Sequence, residues 1–176
     1  MLKIRPIQDI KRQLLLNKQT VRNFPKSVSF KFDVLYQETV TQIKTIEISS
    51  ECILFDSVES YNVTREFSDS DYWSEEAKEE INKIWFFGAN GQSDFWLFDD
   101  ENKVYFYDHE YEEMCFKNFT DLGLNFEKWL QYSCLNKQLD EVYEKEGEIS
   151  EEIKNDYKEK LKELSGLLSK KYPFEI

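Results

Sequence analysis

Residues 84–107 read IWFFGANGQSDFWLFDDENKVYFY. Three apolar runs, Ile84–Phe87, Phe95–Phe98 and Val104–Tyr107, are separated by Gly88-Ala89-Asn90-Gly91 and by Asp99-Asp100-Glu101-Asn102. Aromatic and β-branched residues suit a pleated, half-buried surface, and Gly, Asn and Asp supply the turns between strands. The stretch therefore predicts three short strands on a meander. Within the second run Trp96 and Phe98 point to one face, and Phe95 and Leu97 to the other. Both faces are apolar, so both sides of the sheet must be covered.

Outward from this core, Ser74-Glu75-Glu76 opens a helical stretch reaching about Lys83, with acids at the favourable end of the helix dipole. The polar segment from Tyr61 to Asp71 reads as a loop. Ser49-Ser50-Glu51 reads as the cap of a short helix carrying Cys52, Ile53, Phe55 and Val58. Val28, Phe30, Phe32, Val34 and Tyr36 alternate with Ser29, Lys31, Asp33 and Leu35, the period of a strand. The following ETVTQIKTIEIS is expected to pair with it as a hairpin around Gln37–Thr39. A first helix is expected over residues 6–17, with Pro6 in its first turn and Asn17 at its end. Downstream, Asn125 reads as the N-cap of a longer helix striped by Phe126, Trp129, Leu130, Cys134, Leu135 and Leu139. Gly147 separates it from a last helix capped by Ser150, striped by Ile153, Tyr157, Leu161, Leu164 and Leu168, and stopped by Pro173. The fold class is thus α+β: a central, mostly antiparallel sheet flanked by helices. Residues 1–147 form the domain, and 148–176 add an amphipathic helix packed on it.

The 176 residues suit one domain with one real core. No stretch is long and apolar enough to span a membrane, and the N-terminus lacks the pattern of a signal peptide, so a cytoplasmic location is expected. Cys52, Cys115 and Cys134 are odd in number and far apart, which predicts free thiols. The net charge of −12 is uneven: residues 1–48 carry nine Lys or Arg against four Asp or Glu, and the remainder fourteen against thirty-one. Such a body repels phosphate backbones and attracts basic proteins, so nucleic acid and membrane are not expected partners.

No constellation for catalysis assembles, and the chain is expected not to be an enzyme. His109, the only histidine, sits in Asp108-His109-Glu110; on a strand these would alternate between faces and could not converge on one ion. Gly88-Ala89-Asn90-Gly91 lacks both the GxGxxG spacing and the P-loop Lys-Ser or Lys-Thr, and reads as a turn. No GxSxG occurs. No metal or cofactor is expected. What remains is a surface. Asp94, Asp99, Asp100, Glu101, Asp108, Glu110, Glu112 and Glu113 lie on the margins of the aromatic strands, with Trp96, Tyr105 and Tyr107 among them. Aromatic anchors ringed by charge are the make-up of a protein-binding patch. The alternative is that these aromatics are core and the acids merely solvated.

The stretch from Ile84 to Leu130 resembles the SUKH superfamily, which includes bacterial immunity proteins and fungal cell-wall-synthesis regulators. The matching series is an apolar strand ending in Gly88; the turn Asn90-Gly91 with Asp94; the aromatic strand Phe95 to Asp99; Lys103-Val104-Tyr105-Phe106-Tyr107-Asp108-His109 with acids after it; and the Phe-led helix Asn125-Phe126-Glu127-Lys128-Trp129-Leu130. With the preceding unit at Ile46–Val58, about half the chain is covered. The family's early L-P-x-x-Y-x-x-F-L helix and N-G are missing. Phe24-Pro25 and the alternating stretch stand there instead, so the N-terminal third diverges. The resemblance implies a sheet flanked by helices and, in bacteria, an immunity protein that binds and blocks a cognate toxin, often a basic nuclease. It carries over no catalytic residue. The expected binding surface is the acidic, aromatic-bearing face just named, on a monomer or weak homodimer. The alternative is a regulatory or scaffold module of the cell-wall-regulator kind.

Overall fold

A computed structural model describes residues 1–174. Six strands form one antiparallel sheet in chain order: β1 (Ile46–Ser49), β2 (Cys52–Leu54), β3 (Trp85–Ala89), β4 (Phe95–Phe98), β5 (Val104–Tyr107) and β6 (Phe119–Leu124). The three central strands are those read from the sequence, and Trp96 faces Phe106 across β4 and β5. The helices are α1 (Ile7–Leu14), α2 (Val34–Val40), α3 (Ser57–Glu66), α4 (Phe126–Glu146), α5 (Glu151–Leu164) and α6 (Gly166–Lys170), with 3-10 turns at Ser70–Tyr72 and Glu75–Lys83.

Both faces of the sheet are covered. On the first, Trp85, Phe87, Trp96, Phe98 and Phe106 pack beneath α1, α2, α4, α5 and α6, giving the main core. On the second, Phe86, Leu97, Tyr107 and Phe119 meet Trp73, Ala77 and Met114. That second cover is thin, built mostly of 3-10 turns and loop, with Val63 of α3 and the following Phe67 at one side.

Caps set the helix bounds. Asn125 accepts from the Lys128 N–H at 3.0 Å, and Gly147 closes α4 in the left-handed region at φ 78°. Ser150 caps α5 through the Ile153 N–H. The last apolar stripe is one face on two helices, because the chain breaks at Ser165. The Ser165 hydroxyl donates to the Leu122 carbonyl at 2.7 Å and caps α6 by accepting from Leu167 and Leu168 N–H. Gly123 permits this approach: its φ is 67°, and a Cβ there would lie 2.6 Å from Ser165 Oγ.

Several expectations upstream are corrected. Residues 28–33 keep their alternation, with Val28, Phe30 and Phe32 turned inward, but no strand pairs with them. They form an extended strap that lays Phe24, Phe30 and Phe32 on Trp85. Asp33 then accepts from the Tyr36 N–H and starts α2 where the hairpin was expected. Ser49–Glu51 is the turn of the β1–β2 hairpin, not a helix cap. Asp56 is the cap, accepting from Val58 and Glu59 N–H, and α3 fills most of the expected loop. The sixth strand was not foreseen. Cys52, Cys115 and Cys134 are free thiols, the first and last buried.

Candidate functional site

The eleven residues expected to form one patch are divided by the fold. Trp96 is fully buried in the main core, its indole N–H donating to the Glu51 carbonyl at 2.9 Å. Tyr107 is buried on the second face, and Tyr105 is half-buried there. All three are core or near-core residues, because both sheet faces are covered; none projects as an anchor. The alternative left open for these aromatics is the one observed.

The acids separate by strand direction. Asp94 precedes β4 and Asp99 follows it, five residue steps or roughly 17 Å apart at about 3.3 Å each. At the far end, Asp99 is a buried turn residue. Its Oδ1 accepts from Glu101 and Lys103 N–H, both at 2.9 Å, and its Oδ2 from the Tyr105 hydroxyl at 3.1 Å. Burial, followed by the charge of Asp99, pushes the Tyr105 hydroxyl pKa up. Glu101 pairs with Lys103, and Asp100 is exposed.

At the near end, Asp94 ties three segments together. Its Oδ2 accepts from Asn90 Nδ2 at 2.8 Å, and its Oδ1 from both the backbone N–H and the ring Nδ1 of His109, at 3.0 and 2.7 Å. Asn90 also reaches Glu51 at 3.2 Å. The β3–β4 turn thereby holds the start of the acidic loop after β5. Residues 108–110 lie in a turn, not on a strand, so Asp108 and His109 do not alternate between faces. With Asp94 they place donor atoms within 4.8 Å of one another, the one set among the described residues able to hold a metal ion. Asp94 is already committed to three hydrogen bonds there, which accounts for the cluster as a tether.

The His109 pKa is raised, chiefly by the hydrogen bond to Asp94 and further by the charges of Asp94, Asp108 and Glu110. A pKa raised in the folded state gives stability that is full below the unfolded value near about 6.5 and is lost as pH rises through the folded value. An NMR titration of the ring is expected to show a midpoint above the ordinary histidine value. Asp94→Asn should move that midpoint down, and an unchanged midpoint would contradict the tether.

Beyond His109 the chain folds into a continuous acidic surface. Glu110, Glu112 and Glu113 are exposed, and Tyr111 is 50% exposed. The Tyr107 hydroxyl donates to the Tyr111 carbonyl, and Asn118 Nδ2 donates to the Glu113 carbonyl at 2.7 Å, pinning the loop at two points. A second acidic segment lies beside it. Trp73 and Met114 form a parallel bridge, with Met114 N–H donating to the Tyr72 carbonyl at 2.9 Å and Ser74 N–H to the Met114 carbonyl at 3.2 Å. Asp69, Asp71 and Tyr72 are exposed on this segment; Tyr72 is 41% exposed and packs edge-on against Phe67 at 4.9 Å.

Residues 66–80 hold seven acids against one lysine, and residues 108–117 four against one, a net −9 of the chain's −12. Among the described residues only Glu75 of these eleven acids has a lysine partner. The rest leave a strong, uncompensated field. Asp69, Asp71, Glu75, Glu76, Tyr72 and Tyr111 were not foreseen as site residues. The acid run 66–80 was visible in the sequence; its adjacency to 108–117 was not.

Among the described residues no helix is long and apolar enough to cross a membrane. Comparison of the chain with protein-family models, with curated proteins and with solved structures gives no match.

Proposed function

We propose that this chain is an immunity-type protein that binds one basic cytotoxic protein, a nuclease being the best fit, and blocks it by covering its active surface. It acts in the cytoplasm, by occlusion and without turnover. The observation that carries the reading is the acidic layer over the second sheet face, with nearly all its carboxylates unpaired and two half-exposed tyrosines set in it. Tyrosine offers a large rigid contact and a hydroxyl, and charge complementarity speeds encounter and disfavours wrong partners. The SUKH resemblance of Ile84–Leu130 supports the same role, and the antiparallel α+β architecture is of the kind that resemblance implies.

The test is co-expression with the product of the adjacent open reading frame. A toxic product whose toxicity is relieved, and which co-purifies one-to-one, is the expected result. Capture of several housekeeping proteins, with no toxic neighbour, would overturn it in favour of a regulatory scaffold.

A further inference from the structure

At the edge of the acidic layer, the strap and α3 leave a cleft of about 280 Å³ between them. On α3, Tyr61, Thr64 and Arg65 recur at helical spacing and line this gap, and Ser68 lines it from the turn just beyond the helix. The opposite wall is Ser27–Phe30, and the floor is Ile84 and Trp85. The Trp85 indole N–H is occupied by Ser60 Oγ at 2.6 Å and Tyr36 Oη at 3.1 Å, so the small part of the ring left exposed, 4%, is apolar. Phe30 lies against it with ring centroids 5.6 Å apart.

The charge of this cleft runs against the chain. Twelve residues line it and none is a carboxylate, although at the chain's own acid content about two would be. Arg65 is the one charged lining residue. It is exposed and has no ion pair among the described residues. Ser27, Ser29 and Asn82 also line the cleft, are exposed, and have side chains with no hydrogen-bond partner among the described residues. A guanidinium with neutral donors beside it and an apolar floor is the recognition set for an anionic head on a flat body.

We propose that this cleft binds a small organic anion, a carboxylate or phosphate carried on an aromatic or short apolar body. The volume sits at the small end of ligand sites, which limits the body to about one ring. The head pairs with Arg65 and the Ser27 and Ser29 hydroxyls; the body lies against Phe30 and Trp85. The site borders the acidic layer at Ser68 and Ile81, but none of the layer's carboxylates lines it.

The test is titration of the full chain, followed by amide NMR, with phenyl phosphate, benzoate, benzyl alcohol and inorganic phosphate. Either aryl anion should give saturable shifts centred on Ser29, Phe30, Arg65 and Ser68, and the better of the two identifies the head. Benzyl alcohol and inorganic phosphate should each bind at least about tenfold more weakly, since each lacks one half of the match. Arg65→Gln should weaken the aryl anion by about tenfold with an unchanged melting temperature, because the side chain is exposed. No saturation by either aryl anion up to about 10 mM, or equal affinity in Arg65→Gln, overturns the proposal.

Discussion

Replacing Asp69, Asp71, Glu110, Glu112 and Glu113 together by lysine is expected to weaken binding of the basic partner by at least about 100-fold. Single exposed ion pairs contribute little, about 0.2–1 kcal/mol. Reversal differs from removal, because each site changes from attraction to repulsion. Summed over five adjacent positions this reaches about 3–5 kcal/mol. The loss should fall mainly on the association rate and shrink at high salt, since exposed charges are screened beyond about 8–10 Å. The fold should survive: all five side chains are exposed and none belongs to an ion pair among the described residues. As a control, Asp100→Lys at the far end of β4 should leave affinity within about twofold, because the strand carries it away from the layer.

The second large effect concerns stability. Trp96→Ala should cost about 3–5 kcal/mol, the range for deleting a large buried aromatic. Trp96 is fully buried, packs against Phe106, Trp129 and Tyr132, and satisfies the Glu51 carbonyl. Against a total stability of about 5–15 kcal/mol, the variant should melt roughly 10–15 °C lower or fail to fold. Were Trp96 a surface anchor, the same change would weaken binding at an unchanged melting temperature. Thermal unfolding followed by circular dichroism separates the two outcomes. Tyr111→Ala provides the contrast, with little change in melting and a clear loss of affinity.

These two experiments bear on opposite halves of what the sequence could reveal. The central strands were legible because covered strands read as short apolar runs and their turns announce themselves in Gly, Asn and Asp. Helices α4 and α5 were legible from caps and stripes, which are local signals, whereas the break at Ser165 that sets off α6 was not foreseen. The strap at Val28–Phe32 shows where local pattern stops. Its alternation is real, but a strand also needs a partner, and hydrogen-bond pairing is not written in the alternating stretch itself. Strand β6 was obscured by Thr120, Asp121 and Gly123, which dilute the apolar signal in six residues.

The same limit governs the site. Asp94 and Asp99 were read as surface acids, yet both are buried and accept backbone N–H groups, Asp99 within its own turn and Asp94 from His109 fifteen residues further on. The local turn at Asp99 was available from the sequence; the long-range partner of Asp94 was not. Nor was the acidic layer, because its two halves are about thirty residues apart in sequence and are brought together by tertiary contacts such as the bridge between Trp73 and Met114. Composition located the charge; tertiary pairing made it one surface.

The central claim is that this layer is the binding face. The most direct measurement is amide hydrogen exchange of the chain alone and in complex with the co-purified partner. Slowed exchange at residues 69–72 and 110–113, with the β4–β5 turn at Asp100–Asn102 unchanged, is the predicted result. Protection confined to other segments, with those two unaltered, would contradict it.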